Sequence, residues 1–141
     1  MRRVVIDTSV VAAAFRSRNG ASRVLLDWVA ERMLVPLVTS ALFLQYEDVL
    51  KRPEQLRSSR LTLADVDRRL AALASAAEVV AVHYLWRPQL PDPGDELVFD
   101  AAVNGRADAL VTYNVRHFAG AAVRFGLRIA RPVEVLGEVR Q

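Results

Sequence analysis

Apolar residues along this chain fall into two alternating rhythms. Short runs without period-two alternation occupy residues 3–7, 36–39, 78–82, 109–112 and 127–130, and read as strands buried on both faces. Helical spacing fills the intervals. One short helix covers 10–15, and a second carries Val24, Leu25, Trp28 and Val29 on one face. A third spans 41–51, with Ser40 as its N-cap and Pro53 closing it. Thr62-Leu63-Ala64-Asp65 has the form of a capping box opening a helix to about residue 77. Two further helices are expected over 95–104 and, behind Pro132, over 133–139. Pro36 suits the first position of its strand. Residues 57–60 read as polar linker, 86–94 as a proline-bearing loop, and 116–117 as loop beyond the fourth strand. Strands alternating with helices predict an α/β domain with a parallel sheet of four to five strands, occupying 1–141 as one domain without internal repeats. Functional groups are then sought beyond the carboxyl ends of the strands.

Composition narrows the chemistry. Hydrophobic residues make up 52% of the chain, ample for a packed interior. There is no cysteine, so neither a disulfide framework nor a thiolate site is available, and with only His83 and His117 a histidine-rich zinc site is not expected. A bound metal would have to be held by oxygen, which favours magnesium or manganese. The net charge is +3, and Lys51 is the only lysine among the basic residues. The arginine excess suits phosphate contacts, and it also suits a GC-rich coding sequence, so charge decides little. Residues 1–6 are too short for a signal sequence, and the apolar stretch 71–86 is broken by Glu78 and His83. A cytoplasmic protein without a membrane span is expected.

The acids are arranged in an order that each alone would not reveal. Asp7 ends the first strand, where a buried charge needs a partner or a cation, or serves as a helix N-cap. Thr8 and Ser9 follow with hydroxyls that can orient it. Glu47 has Phe43, Leu44 and Leu50 as helical neighbours, which predicts that it faces the protein, as a ligand or paired with a core arginine. Asp92-Pro93-Gly94-Asp95-Glu96 opens a helix with Asp92 as N-cap, and its three acids exceed what a cap requires. Close negative charges raise one another's pKa unless a cation is present. The fourth strand delivers Thr112 and Asn114 to the same edge. Arg116 and His117 follow in the loop and could hold a phosphate, with plain surface positions as the alternative for both.

At this point the sequence resembles the PIN-domain family, and within it the toxin components of bacterial toxin–antitoxin modules, the VapC-like PIN toxins. The matching residues are Val4-Val5-Ile6-Asp7-Thr8-Ser9, then Ser40 with Glu47 and Leu50, then Leu90-Pro91-Asp92-Pro93-Gly94-Asp95-Glu96. Ala107-Asp108-Ala109-Leu110-Val111-Thr112, running into His117-Phe118, completes the set. The resemblance implies a three-layer α/β/α fold and a magnesium- or manganese-dependent endoribonuclease. It implies Asp7, Glu47 and Asp95 as metal-holding and catalytic carboxylates, with Glu96 as the alternative to Asp95. Thr8, Ser9, Asp92 and Thr112 would support them. It also implies an RNA substrate, with Arg16, Arg18 and Arg116 on loops near the site as candidates for its backbone contacts, a cognate antitoxin and a homodimer. Asn114 stands where many members carry aspartate; it brings no charge and opens the alternative of a weak or inactive PIN-fold module that binds RNA or a protein. Phosphatases needing Asp-x-Asp after the first strand fit less well, because Ser9 occupies the second acid position.

Overall fold

The computed structural model describes residues 2–85 and 89–139. Its element order is β1 (Arg2–Ile6), α1 (Thr8–Arg16), α2 (Ala21–Ala30), β2 (Leu34–Val38), α3 (Ser40–Leu50), α4 (Pro53–Ser59) and α5 (Leu63–Ala76). Then follow β3 (Glu78–Val79), α6 (Pro93–Gly105), β4 (Ala109–Val111), α7 (Val115–Phe125), β5 (Ile129–Ala130) and α8 (Pro132–Val139). The strands form one sheet in the order β3-β2-β1-β4-β5. Every pairing is parallel, with Val4 opposite Pro36 on one side and opposite Ala109 on the other.

The layers follow from this order. The chain steps one way from β1 to β2 to β3, then returns across the sheet to β4 and β5. Right-handed crossovers put the helices of opposite steps on opposite faces. Accordingly α2 and α5 pack together and against β2, while α6 crosses β2, β1 and β4 beside α7. With both faces covered, Val4, Val5, Ile6, Leu110 and Val111 are buried almost completely, which is why the strands read as continuous apolar runs. The connections leaving β1 and β4 turn to opposite faces of the sheet, and this reversal makes a crevice beyond the carboxyl ends of the two paired strands. Polar side chains meet there.

Several expectations are corrected locally. Pro36 lies within β2, not at its start; β3 pairs only with Leu37 and Val38, so the strand has a single neighbour at the proline. Thr39, not Ser40, caps α3, its hydroxyl accepting from the Leu42 N–H at 3.0 Å. Pro53 opens α4 as its first residue, and residues 57–59 of the expected linker belong to that helix. Arg116 and His117 lie in the first turn of α7, a helix where a loop is expected from the sequence. The capping box of Thr62 and Asp65 is present in both directions. Residues 86–88 of the expected proline loop lie outside the described residues.

Candidate active site

Asp7 stands at the carboxyl end of β1, is buried, and begins α1 without capping it through its side chain. Its backbone N–H donates to the Val111 carbonyl at 2.9 Å, joining the ends of β1 and β4. Two hydroxyls converge on Oδ2, from Ser9 at 2.8 Å and from Thr112 at 2.7 Å. Thr112 is fully buried and its oxygen in turn accepts the Asn114 N–H at 2.9 Å. Hydrogen bonds to a charged group are the strong kind, and they offset the desolvation of Asp7.

Asp95 comes from the other side, on the first turn of α6. Asp92 caps that helix, its Oδ1 accepting from the Gly94 N–H at 2.8 Å. The Asp95 side chain is only 12% exposed, and His117 Nδ1 lies 3.2 Å from its Oδ2. Burial pushes the Asp95 carboxyl above its ordinary value, and the charges of Asp7 and Asp92 push it further the same way; His117 opposes them. Asp7 and Asp95 therefore share one electrostatic environment.

Glu47 does not join them. Its side chain is 42% exposed and pairs with Lys51 at 3.0 Å, which also reaches Asp67 of α5 at 2.7 Å. The inward stripe of α3 is Leu42, Tyr46 and Leu50, whereas Leu44 is 62% exposed. Tyr46 sets that phase: it is buried and its hydroxyl donates to the Ile6 carbonyl at the end of β1. Burial, with Asp7 nearby, holds the Tyr46 hydroxyl well above its ordinary pKa. With Tyr46 inward, the residue before it turns to the crevice and the residue after it turns away. Gln45 is thus the α3 side chain in the site. Its Oε1 accepts from the Thr8 hydroxyl at 2.6 Å, and its Nε2 donates to the Gly94 carbonyl at 3.2 Å. The sequence reading passed over Gln45; the signal that finds it is its place one residue before a buried tyrosine.

The other candidates divide. Glu96 is buried, and its Oε1 accepts the Gln89 and Leu90 N–H groups, both at 2.7 Å, tying down the segment before α6. Asn114 is exposed at the start of α7, and its side chain does not cap the helix. Arg116 is exposed beside His117. Arg16 is not near the crevice edge: α1 carries it about 12 Å along its axis from Thr8, where it bonds Gln55 at 2.9 Å, and Arg18 is exposed in the bend between α1 and α2. Among the described residues no group of three or more histidines and acids is placed to hold a metal ion.

The family model of the PIN domain matches residues 3–116 of this sequence. The chain belongs to the PIN-domain family. That is a family of nucleases, and the match runs from β1 into α7, enclosing the site residues just described except His117. The PIN fold here is similar to that in VapBC2 from Rickettsia felis bound to a DNA fragment from their promoter, with a TM-score of 0.56. The alignment covers 90% of this chain and 96% of that chain at 14% identity, a likeness of fold. No match is found among curated proteins. Among the described residues, no helix of this PIN domain is long and apolar enough to cross a membrane.

Proposed function

We propose that the chain, as one nuclease domain over residues 1–141, is a metal-dependent endoribonuclease and the toxin of a toxin–antitoxin pair. The observation that carries the reading is the pair Asp7 and Asp95, buried on opposite walls of the β1–β4 crevice of a PIN domain, each adding to the other's negative potential. A cation relieves that repulsion. Magnesium is commonly held by one or two carboxylates with water filling the remaining positions, so two acids suffice for the donor set. Asp7 and Asp95 would hold magnesium or manganese, and Glu47 has no part in this set.

Bound there, such an ion would offset charge on the phosphodiester and make an attacking water more acidic. The protein's own groups orient the reaction. Ser9 and Thr112 fix Asp7 through Oδ2 and so set the direction of its other oxygen. His117 fixes Asp95. Asp92 and Glu96 organise the start of α6, and Arg116, exposed beside His117 in the first turn of α7, is offered to an RNA phosphate. A cytoplasmic location, a cognate antitoxin and a homodimer belong to the same reading; the Rickettsia felis VapBC2 assembly supports the antitoxin. Gln45 and Asn114, both neutral, favour a second reading, a PIN-fold module of weak or no catalysis that binds RNA or protein.

Cleavage of mixed RNA by the purified chain, with magnesium, with manganese and with a chelator, separates the two. The nuclease reading expects metal-dependent fragments that vanish in an Asp7→Asn, Asp95→Asn double variant. Intact RNA under both metals, from folded protein free of antitoxin, transfers the case to the binding module.

A further inference from the structure

Gln45 occupies a position that the catalytic reading leaves unused. It reaches from α3 to both walls of the crevice, and each contact falls one residue from an acid: Thr8 follows Asp7, and Gly94 precedes Asp95. We propose that Gln45 is a positioning residue, an amide clamp that sets the separation of Asp7 from Asp95; the inference rests on the reading of those acids as the reacting pair.

The chemistry of the two contacts selects an amide. Thr8 brings a hydroxyl that donates, so its partner must accept. Gly94 brings a carbonyl, so its partner must donate. Glutamine does both across one planar group, and this network is what orients its oxygen and nitrogen. A glutamate of the same size accepts from Thr8 but repels the Gly94 carbonyl. The backbone of α6 is shaped to the clamp as well. A Cβ at residue 94 would lie 3.1 Å from Gln45 Nε2 and 3.2 Å from Asp92 Oδ1, so glycine lets the amide and the capping aspartate approach together. Asp7 is held within its own wall by Ser9 and Thr112, and Asp95 by His117. Of the hydrogen bonds described here, those of Gln45 join the start of α1 to the start of α6.

The test begins with the metal-free full chain, by amide hydrogen exchange at Gly94 and Asp95. Gln45→Met and Gln45→Glu keep the side-chain volume and remove the donor. Both are expected to exchange about fivefold faster than wild type at these amides, the loss of roughly one net hydrogen bond, with the amides of α5 unchanged. Thr8→Val should weaken the clamp from the other end, and Thr8→Val with Gln45→Met should add nothing to Gln45→Met alone. In a second arm, manganese alone is titrated by calorimetry, and Gln45→Met is expected to bind about tenfold more weakly. Unchanged exchange in Gln45→Met, or effects of Thr8→Val and Gln45→Met that simply add, overturns the clamp. Wild type that takes up no manganese, with the exchange pattern as expected, overturns the metal reading and leaves the clamp standing.

Discussion

Asp7 and Asp95 carry charge into the same crevice with unequal support. Asp7 has two hydroxyl donors, while Asp95 faces the charges of Asp7 and Asp92 with His117 as counterweight. In the unfolded chain Asp95 ionises at its ordinary value; in the folded protein burial first, then the two neighbouring acids, hold it higher. Ionised Asp95 therefore lowers stability above the raised pKa, and the loss disappears as pH falls below the ordinary value. Asp95→Asn is expected to melt higher than wild type at pH 7 without metal, with the gap closing toward pH 3.5, while cleavage is abolished. Thermal melts across pH check this, and a variant that melts lower at pH 7 would refute the assigned strain. Glu47 shows why such a residue is hard to read from sequence. Its neighbours Phe43 and Leu50 turn inward while Leu44 faces solvent, and one exposed leucine shifts the inferred phase of a helix.

At the scale of elements, phase is what α3 contributes. Its inward stripe through Leu42, Tyr46 and Leu50 turns Gln45 to the crevice and Glu47 to Lys51. Leu42→Ala is expected to cost about 2–5 kcal/mol, while Leu44→Ala should stay within about 0.5 kcal/mol. Denaturant titration of the two variants tests the phase directly; equal costs would contradict it. The far end of α6 is fitted to the sheet more tightly than helix propensity would choose. A Cβ at Gly105 would come within 2.9 Å of both Leu37 and Val80 side chains. Gly105→Ala is thus expected to destabilise by about 1–3 kcal/mol through overpacking, although alanine is the better helix former. A rise in the unfolding midpoint would show that the neighbours yield.

For the molecule as a whole, the crevice couples ligand binding to folding. A cation bound between α1 and α6 joins two walls that come from distant parts of the chain, so it favours the folded state and not the unfolded one. At manganese concentrations near 100 times the dissociation constant the gain is about 2.7 kcal/mol. The wild type is expected to melt higher with manganese, and the Asp7→Asn, Asp95→Asn double variant to be indifferent to it. Equal shifts in both proteins would place the ion elsewhere.

Most of this architecture is written in local terms. The apolar runs of β1 and β4, the capping box at Thr62 and the Asp92-Pro93 helix start each follow from a few adjacent residues, and each is found where the pattern places it. Asp7 at a strand end and Asp95 in a first turn follow for the same reason. Two elements were missed for different reasons. α4 begins at a proline that equally suits a helix end, whereas α7, which buries Phe118, Ala121 and Ala122, carries a strong contrast between its two faces that was legible in the sequence and was passed over. The identity of the α3 residue in the crevice was not decided by the helical period alone. It is decided by the rotation of α3 about its axis, and that rotation is set by the buried Tyr46 hydroxyl meeting the Ile6 carbonyl forty residues away. Periodicity tells which residues share a face; only tertiary contacts tell where that face points.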